Sequence, residues 1–189
     1  MIDYILMGFL RYAPMTGYDL KQAIDTSTSH FWHAHHSQIY TTLRQMEKDG
    51  LVTSQFIQQV GQPNRRLYVL TEAGQRALQD WLEQPLMELP AIKEDLLVRL
   101  FFSAARDPHK VIEELRLQRQ LHVQKLAVLH HTASVVIPEE HAKIPPEARD
   151  PIFWQATVSM GIKFQEMYIQ WIDETIRVIE GSAMDPERK

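Results

Sequence analysis

Between Ser37 and Lys48 the chain separates apolar from hydrogen-bonding side chains at a helical period. Ile39, Leu43 and Met46 point one way, while Gln38, Thr41, Thr42, Arg44, Gln45 and Lys48 point elsewhere. Amides, hydroxyls and a guanidinium on the exposed side of a helix can donate to base edges or to phosphate oxygens. Tyr40 can reach a phosphate through its hydroxyl, and its neighbour Ile39 fits the buried side better. Further on, Asn64 closes a Gly61-Gln62-Pro63-Asn64 turn, and Arg65 and Arg66 follow it. Paired cations at such a place give an affinity that depends on salt rather than on sequence. The segment from His36 to Arg66 therefore carries the chemistry of contact with double-stranded DNA.

Other chemistries find less support. His30, His33, His35 and His36 cluster, and His33 and His36 have a spacing that suits two imidazoles on one metal. The plainer reading is a polar approach to the helix that follows, so no metal is assigned. There is no cysteine, hence no disulfide, thiolate site or cysteine nucleophile. No serine sits in a Gly-x-Ser-x-Gly turn, and no glycine loop could cradle a phosphate. Glu139-Glu140 lies in a proline-rich stretch and reads as solvated, and His122, His130 and His131 read as surface or interface residues. The reading is a non-enzyme without a cofactor.

Charge alone would not single out the segment. The chain of 189 residues has a formal net charge of −4, whereas DNA binders usually carry a basic surplus. Residues 37–66 hold four Lys/Arg against two Asp/Glu, a local excess of +2. The C-terminal half, residues 86–189, holds thirteen against sixteen.

The elements that must position these groups follow from pattern and punctuation. Ile2, Ile5, Leu6, Phe9 and Leu10 mark a first helix, ended by Pro14. Thr16-Gly17-Tyr18-Asp19 has the form of a capping box and starts a second helix, which should stop near Thr26. Ser37 opens the third, and Gly50 stands where a left-handed cap belongs. Residues 51–59 and 65–70, rich in β-branched and aromatic side chains, form a hairpin. Thr71 caps a fourth helix through Leu82, and Pro85 and Pro90 mark a linker. Helices are then expected over 92–105, from Asp107-Pro108 to about Ser134, and from Asp150-Pro151 to about Glu180, with 138–149 irregular. In the last helix Ile162, Ile169, Ile172, Ile176 and Ile179 form one stripe, with Trp154, Phe164, Tyr168 and Trp171 off it. A helix that is apolar on two faces must bury both, and another subunit is one partner that would do so.

Helix, helix, helix, hairpin, helix is the order of a winged helix-turn-helix, whose recognition helix enters the major groove. His36-Ser37-Gln38-Ile39-Tyr40, with Leu43, Met46-Glu47 and Gly50-Leu51-Val52, resembles the recognition helix of the PadR family of bacterial transcriptional regulators. Tyr68-x-Leu70-Thr71-x-x-Gly74 and Thr16-Gly17-Tyr18-Asp19-Leu20 are similar to that family's wing exit and second helix. From about Lys93 the chain resembles the helical virulence-activator α-type domain of the larger members. Thr41 is a departure, since many members carry proline there.

The resulting expectation is a mostly α fold: a winged helix-turn-helix over 1–85 and a C-terminal helical dimerisation and effector domain over 92–181. The resemblance implies a homodimeric repressor that binds a palindromic operator and is released by a small effector, often aromatic. The DNA-contacting residues would be His36, Ser37, Gln38, Tyr40, Thr41, Thr42, Arg44, Lys48, Asn64, Arg65 and Arg66. Trp154 and Trp171 are candidates for an effector site. The alternative is a winged-helix adaptor that contacts protein and not DNA. The amino-terminal segment is a poor signal peptide, and no apolar run approaches the ~20 residues that span a bilayer. A cytoplasmic protein with no membrane partner is expected.

Overall fold

A computed structural model describes residues 1–58, 65–89, 91 and 93–183. The chain divides into two compact units, Met1–Pro90 and Ala91–Lys189, and the fold is mostly helical with one small sheet.

The first unit runs α1 (Ile2–Leu10), β1 (Met15–Thr16), α2 (Gly17–Ala23), α3 (His36–Lys48), β2 (Val52–Ile57), β3 (Arg65–Leu70) and α4 (Glu72–Glu83). Its core gathers Leu6, Met7, Leu10, Leu20, Ile24, Ile39, Leu43, Met46, Val52, Tyr68 and Leu78. Each helix thus contributes its periodic apolar face. Trp81 adds a stacked contact with Tyr4, ring centroids 4.5 Å apart.

The capping box of α2 is present: Thr16 Oγ1 accepts from the Asp19 amide at 3.2 Å, and Asp19 Oδ2 accepts from the Thr16 amide at 3.0 Å. The helix does not stop at Thr26. It continues past Ala23 as a wide π turn over Ile24–Thr28. There the hydroxyls of Thr26, Ser27 and Thr28 donate to the carbonyls of Gln22, Ala23 and Ile24, the back-bonding by which such residues loosen a helix without ending it.

Helix α3 begins at His36, one residue before the expected Ser37, because Gln38 Oε1 reaches back to accept from the His35 amide at 2.9 Å. It ends in a Schellman cap. Gly50 has φ +72°, its amide donates to the Glu47 carbonyl at 3.2 Å, and the Leu51 amide donates to the Met46 carbonyl at 2.9 Å.

The sheet has the order β1-β3-β2, all antiparallel. Strand β1 was not foreseen, since two residues are too few to show an alternating pattern. The turn at 61–64 lies outside the described residues.

Thr71 joins two elements. Its Oγ1 accepts from the Gly74 amide at 3.0 Å and lies 2.8 Å from the Gly50 carbonyl and 3.0 Å from that of Leu51. Thr71→Ala removes both the cap and this tie, so a loss of about 1–2 kcal/mol is expected. A urea titration should show the midpoint falling with little change in slope.

The second unit comprises α5 (Asp95–Phe101), a 3₁₀ turn (Ser103–Ala105), α6 (Pro108–His131), a π turn (Thr132–Val136), α7 (Ile137–His141) and α8 (Asp150–Ala183). The helix expected over 92–105 is therefore shorter and ends in a tighter turn. Asp107 Oδ1 caps α6 by accepting from the His109 amide at 2.9 Å. The expected irregular stretch begins later than 138. Pro138 occupies the first turn of α7, where its missing N–H costs little. Helix α8 runs through Gly181 to Ala183, because a single glycine weakens a helix without stopping it.

Two clusters bind α8 to its neighbours. One joins Leu96, Val111, Ile112, Leu115, Tyr168, Ile172 and Ile176. The other joins Leu129, Ile137 and Val158, with Trp154 packed against it. The buried line on α8 is thus Val158, Gly161, Gln165, Tyr168, Ile172 and Ile176. Tyr168 belongs to it, and Ile162, Ile169 and Ile179 are only partly covered. The stripe drawn from the isoleucines alone missed this, because α6 packs along a seam that admits an aromatic and an amide. Gln165 Oε1 lies 2.5 Å from His122 Nδ1, and the His122 ring stacks on Tyr168 at 4.1 Å. Arg119 grips Asp173 with two bonds, 2.7 and 3.0 Å, across the same pair of helices. No helix among the described residues is long and apolar enough to cross a membrane.

Candidate nucleic-acid interface

The core fixes the orientation of α3. Burial of Ile39, Leu43 and Met46 turns His36, Ser37, Gln38, Thr41, Arg44 and Lys48 outward, all exposed, with Thr42 half-buried. Six of these side chains therefore project from one rigid element of thirteen residues. Two are partly engaged. Gln38 uses its carbonyl oxygen at the helix start, which leaves its amide N–H groups available. Arg44 donates Nε to the Tyr40 carbonyl at 3.2 Å, which leaves its terminal nitrogens for another acceptor.

Tyr40 is 40% exposed. Its ring lies against the start of α2, so closely that a Cβ on Gly17 would stand 2.5 Å from Tyr40 Cε1. Glycine at 17 is thus what lets the phenol lie between α2 and α3 at the surface. Beside the start of α3 a cleft of about 510 Å³ is lined by Met1, Ile2, Trp32, His33, Ser37, Gln38, Thr41 and Thr42. It adjoins the outward face of α3 through Ser37, Gln38, Thr41 and Thr42.

The adjacent arginines of β3 have different surroundings. Arg65 pairs with Ile57, and Arg66 with Phe56. Successive strand residues face opposite sides. Arg65 is exposed, whereas Arg66 points to the side that carries Ser54 and the buried Tyr68. There Arg66 Nη2 meets Glu47 Oε2 at 2.5 Å and Arg66 Nε donates to Ser54 Oγ at 2.8 Å. Ser54 in turn donates to Glu47 Oε1 at 2.5 Å. The guanidinium also lies 5.2 Å from the Phe56 ring centre and 5.5 Å from that of Tyr68. The Ser54 hydroxyl, and after it the Arg66 guanidinium, hold the Glu47 carboxyl below its ordinary range. The link therefore contributes above the usual carboxylate range and is lost only as the pH falls through that depressed value. Sequence reading passed over Glu47 and Ser54. The strand period separates Arg65 from Arg66, but no local signal marks Glu47 or Ser54 as partners of Arg66.

Asn64 lies outside the described residues. Trp154 and Trp171 are not brought together. They occupy the two separate clusters of α8, and seventeen intervening helical steps place them about 25 Å apart. Among the described residues no group of three or more His, Asp or Glu side chains could hold a metal ion.

Comparison with known proteins bears on both units. Residues 6–80 match the family described as transcriptional regulator PadR-like, and residues 92–180 match the one described as virulence activator alpha C-term. The negative transcriptional regulator PadR of Bacillus subtilis is 24% identical over 183 residues, which span 95% of this chain and 98% of that one. In its complex with operator DNA, that protein superposes with a TM-score of 0.78 at 21% identity, covering 94% and 98% of the two chains. In complex with p-coumaric acid it gives 0.73 at 21%, covering 95% and 98%. The Vibrio cholerae virulence activator AphA gives 0.68 at 23%, covering 98% and 100%.

Proposed function

The chain belongs to the PadR-like family of transcriptional regulators through residues 6–80, with a virulence activator alpha C-terminal region over 92–180, and on that premise we propose that it binds a palindromic operator as a homodimer and represses transcription in the cytoplasm. The observation that carries the reading is the outward row on α3. Ser37, Gln38, Thr41, Thr42 and Arg44 offer donors to base edges, flanked by Tyr40, His36, Lys48 and Arg65 for phosphates. Asn64 would join the wing contact by its place in the chain. The Bacillus subtilis relative has been captured on operator DNA, which supports the same use here.

Exposed apolar side chains on the second unit support the dimer. Met160, Phe164 and Met167 on α8 and Leu117, Leu121 and Val128 on α6 are all more than two-fifths exposed. Water-facing stripes of this kind on two packed helices call for a partner, and a second copy supplies one with the same symmetry as a palindrome. Release would follow from a small aromatic effector that favours a dimer with altered spacing of its recognition helices, since only differential affinity shifts the equilibrium. The relative's complex with p-coumaric acid supports an effector of that kind. The aliphatic packing around Trp154 and the Tyr168–Trp171 contact are two separate candidate places for it.

Arg65→Ala should weaken binding to all duplexes alike and lower the slope of log affinity against log salt by about 0.9. Tyr40→Ala should weaken binding with the slope unchanged, because it removes a neutral donor. Mobility-shift titrations at several salt concentrations separate the two. Unchanged affinity in both variants would refute the assignment.

A further inference from the structure

We infer that Glu47 holds Arg66 away from the DNA backbone, so that Arg66 is a positioning residue linking the recognition helix to the wing and Arg65 is the phosphate contact of the pair. The inference rests on the DNA reading proposed above.

Three observations carry it. First, the guanidinium has its acceptors already: Glu47 Oε2 at 2.5 Å and Ser54 Oγ at 2.8 Å. Second, Ser54 bonds the other oxygen of Glu47 at 2.5 Å, so helix α3 and strands β2 and β3 meet in a closed ring of three side chains. Third, Arg66 lies over Phe56 and Tyr68, which restricts the swing of its stem. The side chains of Arg66 and Glu47 are nevertheless 35% and 29% exposed, so the pair sits at the surface and not in the core. An exposed pair of this kind contributes little to stability. Its consequence is where it leaves the charge. A cation paired with a carboxylate releases no counterion when DNA arrives, and sequence-independent affinity is built from such releases. Glu47 thus lowers binding to arbitrary DNA while the ring fixes the wing against α3.

The test needs no knowledge of the operator. A fluorescent duplex of scrambled sequence is titrated with the full chain by anisotropy across roughly 50–200 mM salt. Arg66→Ala should leave the salt slope of the wild type unchanged, whereas Arg65→Ala lowers it. Glu47→Gln should steepen the slope by about 0.9 as Arg66 becomes free to meet a phosphate. It should also raise low-salt affinity several-fold. Loss of a negative charge near DNA would raise affinity even without Arg66. The double variant Glu47→Gln with Arg66→Ala separates the two effects, since the steeper slope must vanish in it. Ser54→Ala, which keeps every charge, should give a smaller increase and serves if Glu47→Gln fails to fold. An Arg66→Ala slope lowered like that of Arg65→Ala overturns the inference. So does a steep slope that survives in the double variant. A wild type that binds no duplex overturns the DNA reading itself.

Discussion

Gly74→Ala is expected to destabilise the N-terminal unit by about 3 kcal/mol or more, a large part of a domain's usual 5–15 kcal/mol. A Cβ at this position would stand 2.2 Å from the Leu51 carbonyl oxygen and 2.6 Å from Leu70 Cδ1. The first of these is backbone and cannot turn aside. The same carbonyl accepts the Thr71 amide at 3.1 Å and faces the Thr71 hydroxyl. Relief of the clash would therefore pull apart the junction between the end of α3, the exit of β3 and the start of α4. Because that junction fixes the wing against the recognition helix, DNA affinity should fall with it. Gly8 is the matched control. Nothing lies within 4 Å of its would-be Cβ, and it sits inside α1, so Gly8→Ala should be neutral or stabilise by up to about 1 kcal/mol. Urea unfolding of the two variants measures the contrast. Equal midpoints would contradict the packing described.

Thr41→Ala combined with Arg44→Ala should remove most of the preference for one sequence over others. Each well-made base contact discriminates by about 1–3 kcal/mol, so the pair should cost on the order of 10²–10³-fold in operator preference. Both side chains are exposed and lie on the outward face of α3, and neither enters the core. Arg44 gives one nitrogen to the Tyr40 carbonyl, a bond whose loss the helix tolerates. The double variant should thus remain folded and still bind arbitrary duplexes, less one cation. Competition of operator against scrambled DNA reads the loss directly. A variant that unfolds, or one that keeps full preference, would place base reading elsewhere.

Much of the first unit was legible in the sequence because local signals there agree with one another. Thr16 with Asp19, Gly50 and Thr71 each satisfy orphan backbone groups at a helix end, so they announce the boundary from nearby residues alone. The orientation of α3 was legible for a similar reason. Ile39, Leu43 and Met46 leave only one side for Gln38, Thr41 and Arg44. What stayed hidden depends on residues far apart in the chain. Glu47 reaches Arg66 across nineteen positions, and nothing near either one signals it. The π turns at Ile24–Thr28 and Thr132–Val136 were equally hidden. They continue a helix without a break, and differ from it in which carbonyl each amide meets. In the second unit periodicity gave the helices but not their faces, since α8 carries apolar residues on more than one side. Tyr168 and Gln165 were assigned to the buried seam only by the packing of α6. The two tryptophans were grouped by type, whereas seventeen helical steps keep them in different clusters.

The claim that matters most is that the outward face of α3 reads a palindromic site through a dimer. Selection from fragmented genomic DNA by the purified chain, followed by sequencing of what it retains, is the decisive measurement. An enriched inverted repeat is expected, its half-sites centred about 34 Å, or roughly 10 base pairs, apart or a multiple of that, with the enrichment lost in the Thr41→Ala, Arg44→Ala variant. Fragments with no shared repeat, or the same repeat retained by that variant, would contradict it.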